Sequence, residues 1–565
     1  MAWFELRPRR LAREQKALAA LVDEGWVTSV DWTLNAATQT AHVDVDFIAG
    51  GQLRQARLEY PFIYPGTPPR LVPRQDGQRW SMHQWGYGEL CLQLRADNWL
   101  KSFDGADILR SARHLLDTEA AEDASGRMGV VPSDHRFTYG QQLNWSNARL
   151  VLNDELIEEV KRRSAGPWIV DVKTNMVGDT CIFIATGISG SAQHEPWVDQ
   201  SIPPTIGDAQ RQGGRIAVIT EGDPRHKALT AQDMTCAERW AAFSSVPFHI
   251  PSFVVGLMNG KVIAKFLGME DHVFDVTSIL MDQQQRTSSQ NDVLKEKRVA
   301  ILGCGSMGSK VAASLTRMGV EKFFLVDSDI LHIGNLVRNE LDWQGIGAHK
   351  VDGLSALLKR INSRVAVDKW ANHFGGQTSV DTLMQCLAHL KACDLIVETT
   401  GSGQGFIYAA SVSEDQRVPM VWGRVFGGGF GGYIARSRPG IEAAPGLVRD
   451  SIYAWFSSPS HPEPPPAIGI DYAAGPDDQA PLIADDADVS VISAHLTHFA
   501  ADLLRAGRDS EYPHSAYAIG LRKEWVFEEP FDTRPIGVAD ASIVDDPDSE
   551  PSGGDTSGAG AEFYS

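Results

Sequence analysis

Three glycines, Gly303, Gly305 and Gly308, stand in G-x-G-x-x-G between an apolar run (Arg298 to Leu302) and a helical pattern, and Asp327 ends the next apolar run 19 residues after Gly308. Glycines at that spacing let backbone N–H groups approach a phosphate at a helix N-terminus, and the carboxylate reaches ribose hydroxyls. NAD, FAD and ATP users all satisfy this pattern. The residues behind it discriminate: Asp329, Asn335, Arg338 and Lys350 follow within V-D-S-D-I-L-H-I-G-N-L-V-R-N and G-A-H-K. Two cations and an amide beside a ribose-binding carboxylate suit a triphosphate with magnesium, whereas hydride transfer has no use for that charge.

A second candidate lies far upstream. L-E-Y-P-F-I-Y-P-G-T-P-P-R-L-V-P precedes H-Q-W-G-Y-G-E-L-C-L-Q-L, which contains Cys91, with Trp99 eight residues on. A thiol with pKa ~8.5 is a few per cent thiolate near neutrality and can attack an acyl-adenylate without a strong base.

The order glycine loop, D-x-D, N-x-x-R, lysine, then Asp394-x-x-x-Glu398-x-Thr400 resembles the ThiF-like adenylating superfamily, which includes ubiquitin-activating enzymes, over about 290–530. The resemblance implies ATP-dependent adenylation of a protein C-terminal glycine. It gives Asp327 to ribose, Arg338 and Lys350 to phosphates, and Asn335 to their positioning. Arg286, in Q-Q-Q-R-T-S-S, falls where relatives supply an arginine to the γ-phosphate, often across a dimer, so a homodimer is expected. Relatives place a magnesium-binding aspartate where this chain has Gly401; Glu398 or Asp329 takes Mg2+ instead, or metal binding is weakened.

Residues 10–120 resemble ubiquitin-conjugating enzymes, which implies that Cys91 carries the modifier as a thioester. His83 matches the histidine of their H-P-N turn, but Gln84 and Trp85 replace its other members, and Asn98 is a candidate substitute for the missing asparagine. The two halves together resemble activating–conjugating fusions of bacterial anti-phage (CBASS-type) operons. Such a fusion raises the effective concentration of acceptor near donor. It implies a ubiquitin-like partner ending in glycine, a target protein and an operon-encoded metalloprotease. Activating enzymes usually place a cysteine in the loop after the adenylation strands, yet none follows Cys393. Direct transfer to Cys91, an oxyester on Ser451, Ser457, Ser458 or Ser460, or a replaced cysteine would each resolve this. A sulfur-carrier adenylyltransferase, a dinucleotide-dependent oxidoreductase and a non-enzymatic scaffold are the alternatives.

The elements that must position these residues make a multidomain α/β chain, as its 565 residues require. Residues 1–125 alternate as an α+β conjugating-enzyme-like domain. Residues 126–290 form an α/β middle domain. Residues 291–535 alternate strand and helix as a doubly wound, parallel Rossmann-like adenylation domain. The stretch 440–480 is expected to be a crossing loop. From Asp540 to Ser565 there are seven acidic and no basic residues among Gly, Ser and Pro, so 536–565 is expected to be a disordered tail.

A formal charge of −20 disfavours nucleic-acid binding. The longest apolar run, 250–268, is broken by Asn259, Lys261 and Lys265, and no signal-peptide core opens the sequence, so a cytoplasmic protein without a membrane segment is expected. The six cysteines include no C-x-x-C pair, which argues against a disulfide scaffold and a tetrathiolate zinc site.

Overall fold

The computed structural model describes residues 1–121, 129, 131, 138–144, 146–163, 166–191, 193–203, 206, 211–220, 222–280, 287–462, 484–506 and 509–538. The chain divides into two compact units, Met1–Asn144 and Trp145–Ser565. Arg286, the acidic tail beyond 538 and the segment 463–483 of the expected crossing loop lie outside the described residues.

In the first unit, strands Val27–Asn35, Thr40–Ala49, Gln52–Tyr60 and Arg70–Pro73 pair in sequence order as an antiparallel meander. Alternation along T-A-H-V-D-V-D-F-I-A sends Ala41, Val43, Val45, Phe47 and Ala49 inward. Helices Pro8–Asp23 and Gly105–Ala120 contribute Leu18, Leu21, Ile108, Leu109 and Leu116 to the same core. Pro8 at the first position starts the former helix, and the Asp104 side chain caps the latter by accepting from the Ala106 N–H at 3.1 Å. Residues 74–104 carry no strand or helix and hold Cys91.

The middle region is more β-rich than its sequence suggests. Strand Ala148–Leu152 pairs in parallel with both Val273–Leu280 and Thr180–Ile188, so the eight-stranded sheet closes on itself. The helix Asp154–Arg163 is acidic in its first turn and basic in its last, which suits the helix dipole.

The third sheet runs in the order 366–370, 322–326, 298–302, 395–398, 420–425, 431–437, 516–520 and 533–535. Its first five strands are parallel, as expected. The last three pair antiparallel, which corrects the expectation of a purely parallel sheet. Gly431–Ser437 is buried at every residue, and its two leading glycines mask the strand signal. Within 440–480, Pro445–Phe456 is a helix rather than loop. The chain leaves Arg298–Leu302 toward Lys322–Val326 on one side and later places Leu395–Glu398 on the other. That reversal opens a crevice at the carboxyl ends of these strands, where open α/β sheets bind ligands.

Candidate active site

The glycine loop follows strand Arg298–Leu302 and opens helix Ser306–Met318, with Gly305 at its N-cap and no side chain spending the first N–H groups. A Cβ on Gly308 would lie 1.9 Å from the Gly303 carbonyl oxygen, so only glycine permits this helix–loop approach. Thr399 fastens the loop, donating its hydroxyl to the carbonyls of Leu302 and Gly303 at 2.9 Å each. Beside it lies a cavity of about 70 Å³ lined by Gly305, Ser306, Asn335, Arg338, Asn339 and Lys350. That volume suits a phosphate group, and its lining offers cations, amides and helix N–H donors.

Asp327 reaches back to the loop: one carboxylate oxygen accepts from the Cys304 N–H at 2.7 Å and the other from the Asp329 N–H at 2.8 Å. Burial pushes its carboxyl above the usual range, against those two amides and the Lys350 charge. Each oxygen keeps a second lone pair for a ribose hydroxyl. Lys350, buried at the start of helix Lys350–Ile361, contacts Asp329 at 2.7 Å. Asn335 turns its carboxamide oxygen onto the His332 N–H at 2.9 Å, while Arg338 donates to the Ala484 carbonyl at 3.3 Å. The structure therefore brings Gly305, Asn335, Arg338 and Lys350 to one cavity. It adds two residues that sequence reasoning missed, Ser306 and Asn339. Asn339 directly follows Arg338 and is buried; its amide donates to the Cys304 carbonyl at 3.2 Å and its oxygen accepts from the Leu341 N–H at 3.0 Å.

The two carboxylates expected to take magnesium have separate occupations. Asp329 is exposed and paired with Lys350; Glu398 is buried and accepts from the Thr400 N–H at 2.8 Å and the Thr400 hydroxyl, and burial raises its carboxyl above the ordinary value. Among the described residues, no three His, Cys, Asp or Glu side chains gather as a metal site. This arrangement does not fit a preformed Mg2+ site. Gly401 has φ +70°, a conformation in which an aspartate would be strained.

In the first unit, His83 to Cys91 folds back on itself. The Cys91 N–H donates to the His83 carbonyl at 2.8 Å, Gln84 bridges Leu90, and the Trp85 N–H donates to the Glu89 carbonyl at 2.8 Å. Cys91 is half-buried, and burial pushes its thiol up while Arg95 opposes the shift. It opens onto a cavity of about 830 Å³ whose walls include Glu59, Pro68, Tyr87, Glu89 and Arg95. The His83 ring bonds the Val131 carbonyl at 2.7 Å, as a turn residue would. Asn98 spends its amide on the Gln93 carbonyl at 2.8 Å, within its own turn. Trp99 donates to the Pro65 carbonyl at 2.9 Å and ties this loop to the proline-rich segment. None of the six cysteines forms a disulfide; Cys386 and Cys393 are buried, each pushed up to about 12.

Residues 280–443 match the ThiF family. The chain is 24% identical over 441 residues to the uncharacterized protein y4qC of Sinorhizobium fredii, covering 65% of this chain and 70% of that protein. It is 32% identical over 116 residues to the ATP-dependent ubiquitin transferase-like protein Cap2 of Enterobacter hormaechei, which is 20% of this chain and 18% of Cap2. The solved structure of Escherichia coli MccB with ATP aligns at 16% identity and a TM-score of 0.32 over 44% of this chain and 66% of that one. The chain thus spans less than two thirds of Cap2 and of MccB.

Proposed function

We propose that this chain uses ATP to adenylate the C-terminal glycine of a ubiquitin-like or similar protein and passes the acyl group to Cys91 as a thioester for conjugation. The observation that carries this reading is the cavity at the N-terminus of helix Ser306–Met318, where Arg338, Lys350, Asn335 and Asn339 converge beside Asp327. Helix N–H groups and two cations suit phosphates, and Asp327 suits the ribose. The partner's carboxylate attacks the α-phosphate, pyrophosphate leaves, and Arg338 and Lys350 stabilise the charge that develops. The Cys91 thiolate then attacks the acyl carbon and AMP departs. Asp329 or Glu398 would hold a Mg2+ brought with the nucleotide, and that ion would neutralise phosphate charge. The ATP-dependent ubiquitin transferase-like description of Cap2 supports the same chemistry. A bacterial anti-phage setting, a processing metalloprotease and a homodimer in which Arg286 reaches the partner's γ-phosphate complete the proposal.

Exchange of labelled pyrophosphate into ATP, driven by glycine-terminated proteins, tests the first half. Arg338→Ala lowers exchange by ~10²-fold; wild-type exchange in that variant removes the phosphate site as assigned. Tight NADH binding without ATP binding would overturn the adenylation reading altogether. For the second half, a thiol-sensitive adduct forms and vanishes in Cys91→Ala. An adduct that resists thiols and yields to alkali instead moves the acceptor to a serine.

A further inference from the structure

The fold-back at 83–91 places Glu89 and Cys91 on the wall of one cavity. Gln84 pairs with Leu90, and Leu90 is 3% exposed, so it points into the core. Its neighbours Glu89 and Cys91 both line the 830 Å³ cavity, which Leu90 also borders, and the Glu89 charge acts on the Cys91 thiol. Arg70, whose charge acts on the Glu89 carboxylate, directs its guanidinium to Glu59 at 2.5 Å. Glu89 is half-buried, and burial together with the Glu59 charge raises its carboxyl, Arg70 opposing them. A stronger base is the result, two residues from a nucleophile and open to the same space. Tyr87, 93% exposed, and Trp85, 46% exposed, stand at the rim as apolar walls for an alkyl chain.

We infer that this cavity receives a primary amine, the side chain of a target lysine, and that Glu89 is the general base for its attack on acyl-Cys91. The inference rests on the reading of Cys91 as acyl acceptor. A neutral lysine nitrogen forms a bond to the acyl carbon and its surplus proton passes to the Glu89 carboxylate. The carbon–sulfur bond breaks with its electron pair going to Cys91 Sγ. Glu89 returns the proton to that sulfur, leaving an amide, a thiol and the carboxylate as it began. Because burial disfavours the free thiolate of Cys91, a carboxylic acid at hand to protonate the leaving sulfur assists at the point where departure is hardest.

A test that does not depend on adenylation charges the full chain by thiol exchange with a synthetic peptide bearing a C-terminal glycyl thioester, with Cys91→Ala as control. Discharge is followed by intact mass, on the acyl-enzyme each variant forms, so that differences in charging drop out. In Glu89→Gln, discharge to free lysine slows by ~10²-fold, while discharge to hydroxylamine, nucleophilic without base assistance, slows far less; Glu89→Asp recovers part of the loss. In the wild type, the lysine rate divided by its neutral-amine fraction falls as acid protonates Glu89. Lysine discharge at the wild-type rate in Glu89→Gln, or equal slowing of both nucleophiles, overturns the inference, and should that variant not fold, a corrected wild-type profile without an acid limb does so. Failure of Cys91 to charge from ATP and partner would sink the proposed function but leave this result standing.

Discussion

At Gly308 a single hydrogen in place of a methyl group decides whether the helix can approach the Gly303 carbonyl and Thr399. Gly308→Ala would press a Cβ to 1.9 Å from the Gly303 carbonyl, and also against the Thr399 hydroxyl at 2.6 Å, so the loop must shift. Overpacking of this kind costs ~1–3 kcal/mol. Under the proposed function the displaced atoms would hold phosphate, so ATP affinity falls by ~5–150-fold on that scale, measured by calorimetric titration, while circular dichroism stays unchanged. Asn339 shows the other side of legibility. An asparagine after arginine carries no chemical signal in sequence; its meaning comes from the Cys304 carbonyl that folding brings to its amide. Glu89 is similar, since only folding reveals that it lines the same cavity as Cys91.

Between elements, the first unit is joined by one buried carboxylate. Glu14, on helix Pro8–Asp23, accepts from the Tyr60 hydroxyl at 3.0 Å at the end of strand Gln52–Tyr60 and from the Gly105 N–H at 2.8 Å at the start of helix Gly105–Ala120. It also accepts from the Tyr64 hydroxyl and meets Arg10 at 3.0 Å. Removing one member of such a network leaves the others buried and unpaired, so Glu14→Ala costs ~3–5 kcal/mol in thermal or denaturant unfolding. Burial raises the Glu14 carboxyl above its unfolded value, and the hydrogen bonds and Arg10 only partly offset that. Its contribution to stability is therefore complete below the ordinary carboxylate pKa and is lost as pH rises through the higher folded value. Glu14→Gln removes that pH dependence; a variant whose stability keeps the wild-type slope there would refute the assignment.

On the scale of the whole molecule, the two units have separate hydrophobic cores. Calorimetry should then resolve two transitions. ATP at 100 times its dissociation constant stabilises its own unit by ~2.7 kcal/mol and raises that transition, while Glu14→Ala lowers the other. A shared shift of both would mean that they unfold as one. Among the described residues no helix is long and apolar enough to cross a membrane.

Strand 298–302 and the loop from Gly303 to Gly308 were legible in the sequence, because an apolar run and glycine spacing are local properties of the chain. The parallel direction of the strands around the crevice followed from alternation of strand and helix, while their order came from the fold. Other features depended on partners distant in sequence. Ala148–Leu152 is a strand by virtue of pairing more than a hundred residues away, with Val273–Leu280, as well as with Thr180–Ile188. The antiparallel edge, the occupation of Glu398 by Thr400 and the cavity shared by Glu89 and Cys91 were decided by tertiary structure alone. Residue type sets which chemistry is available, but burial and neighbours determine which proton or ligand a group holds.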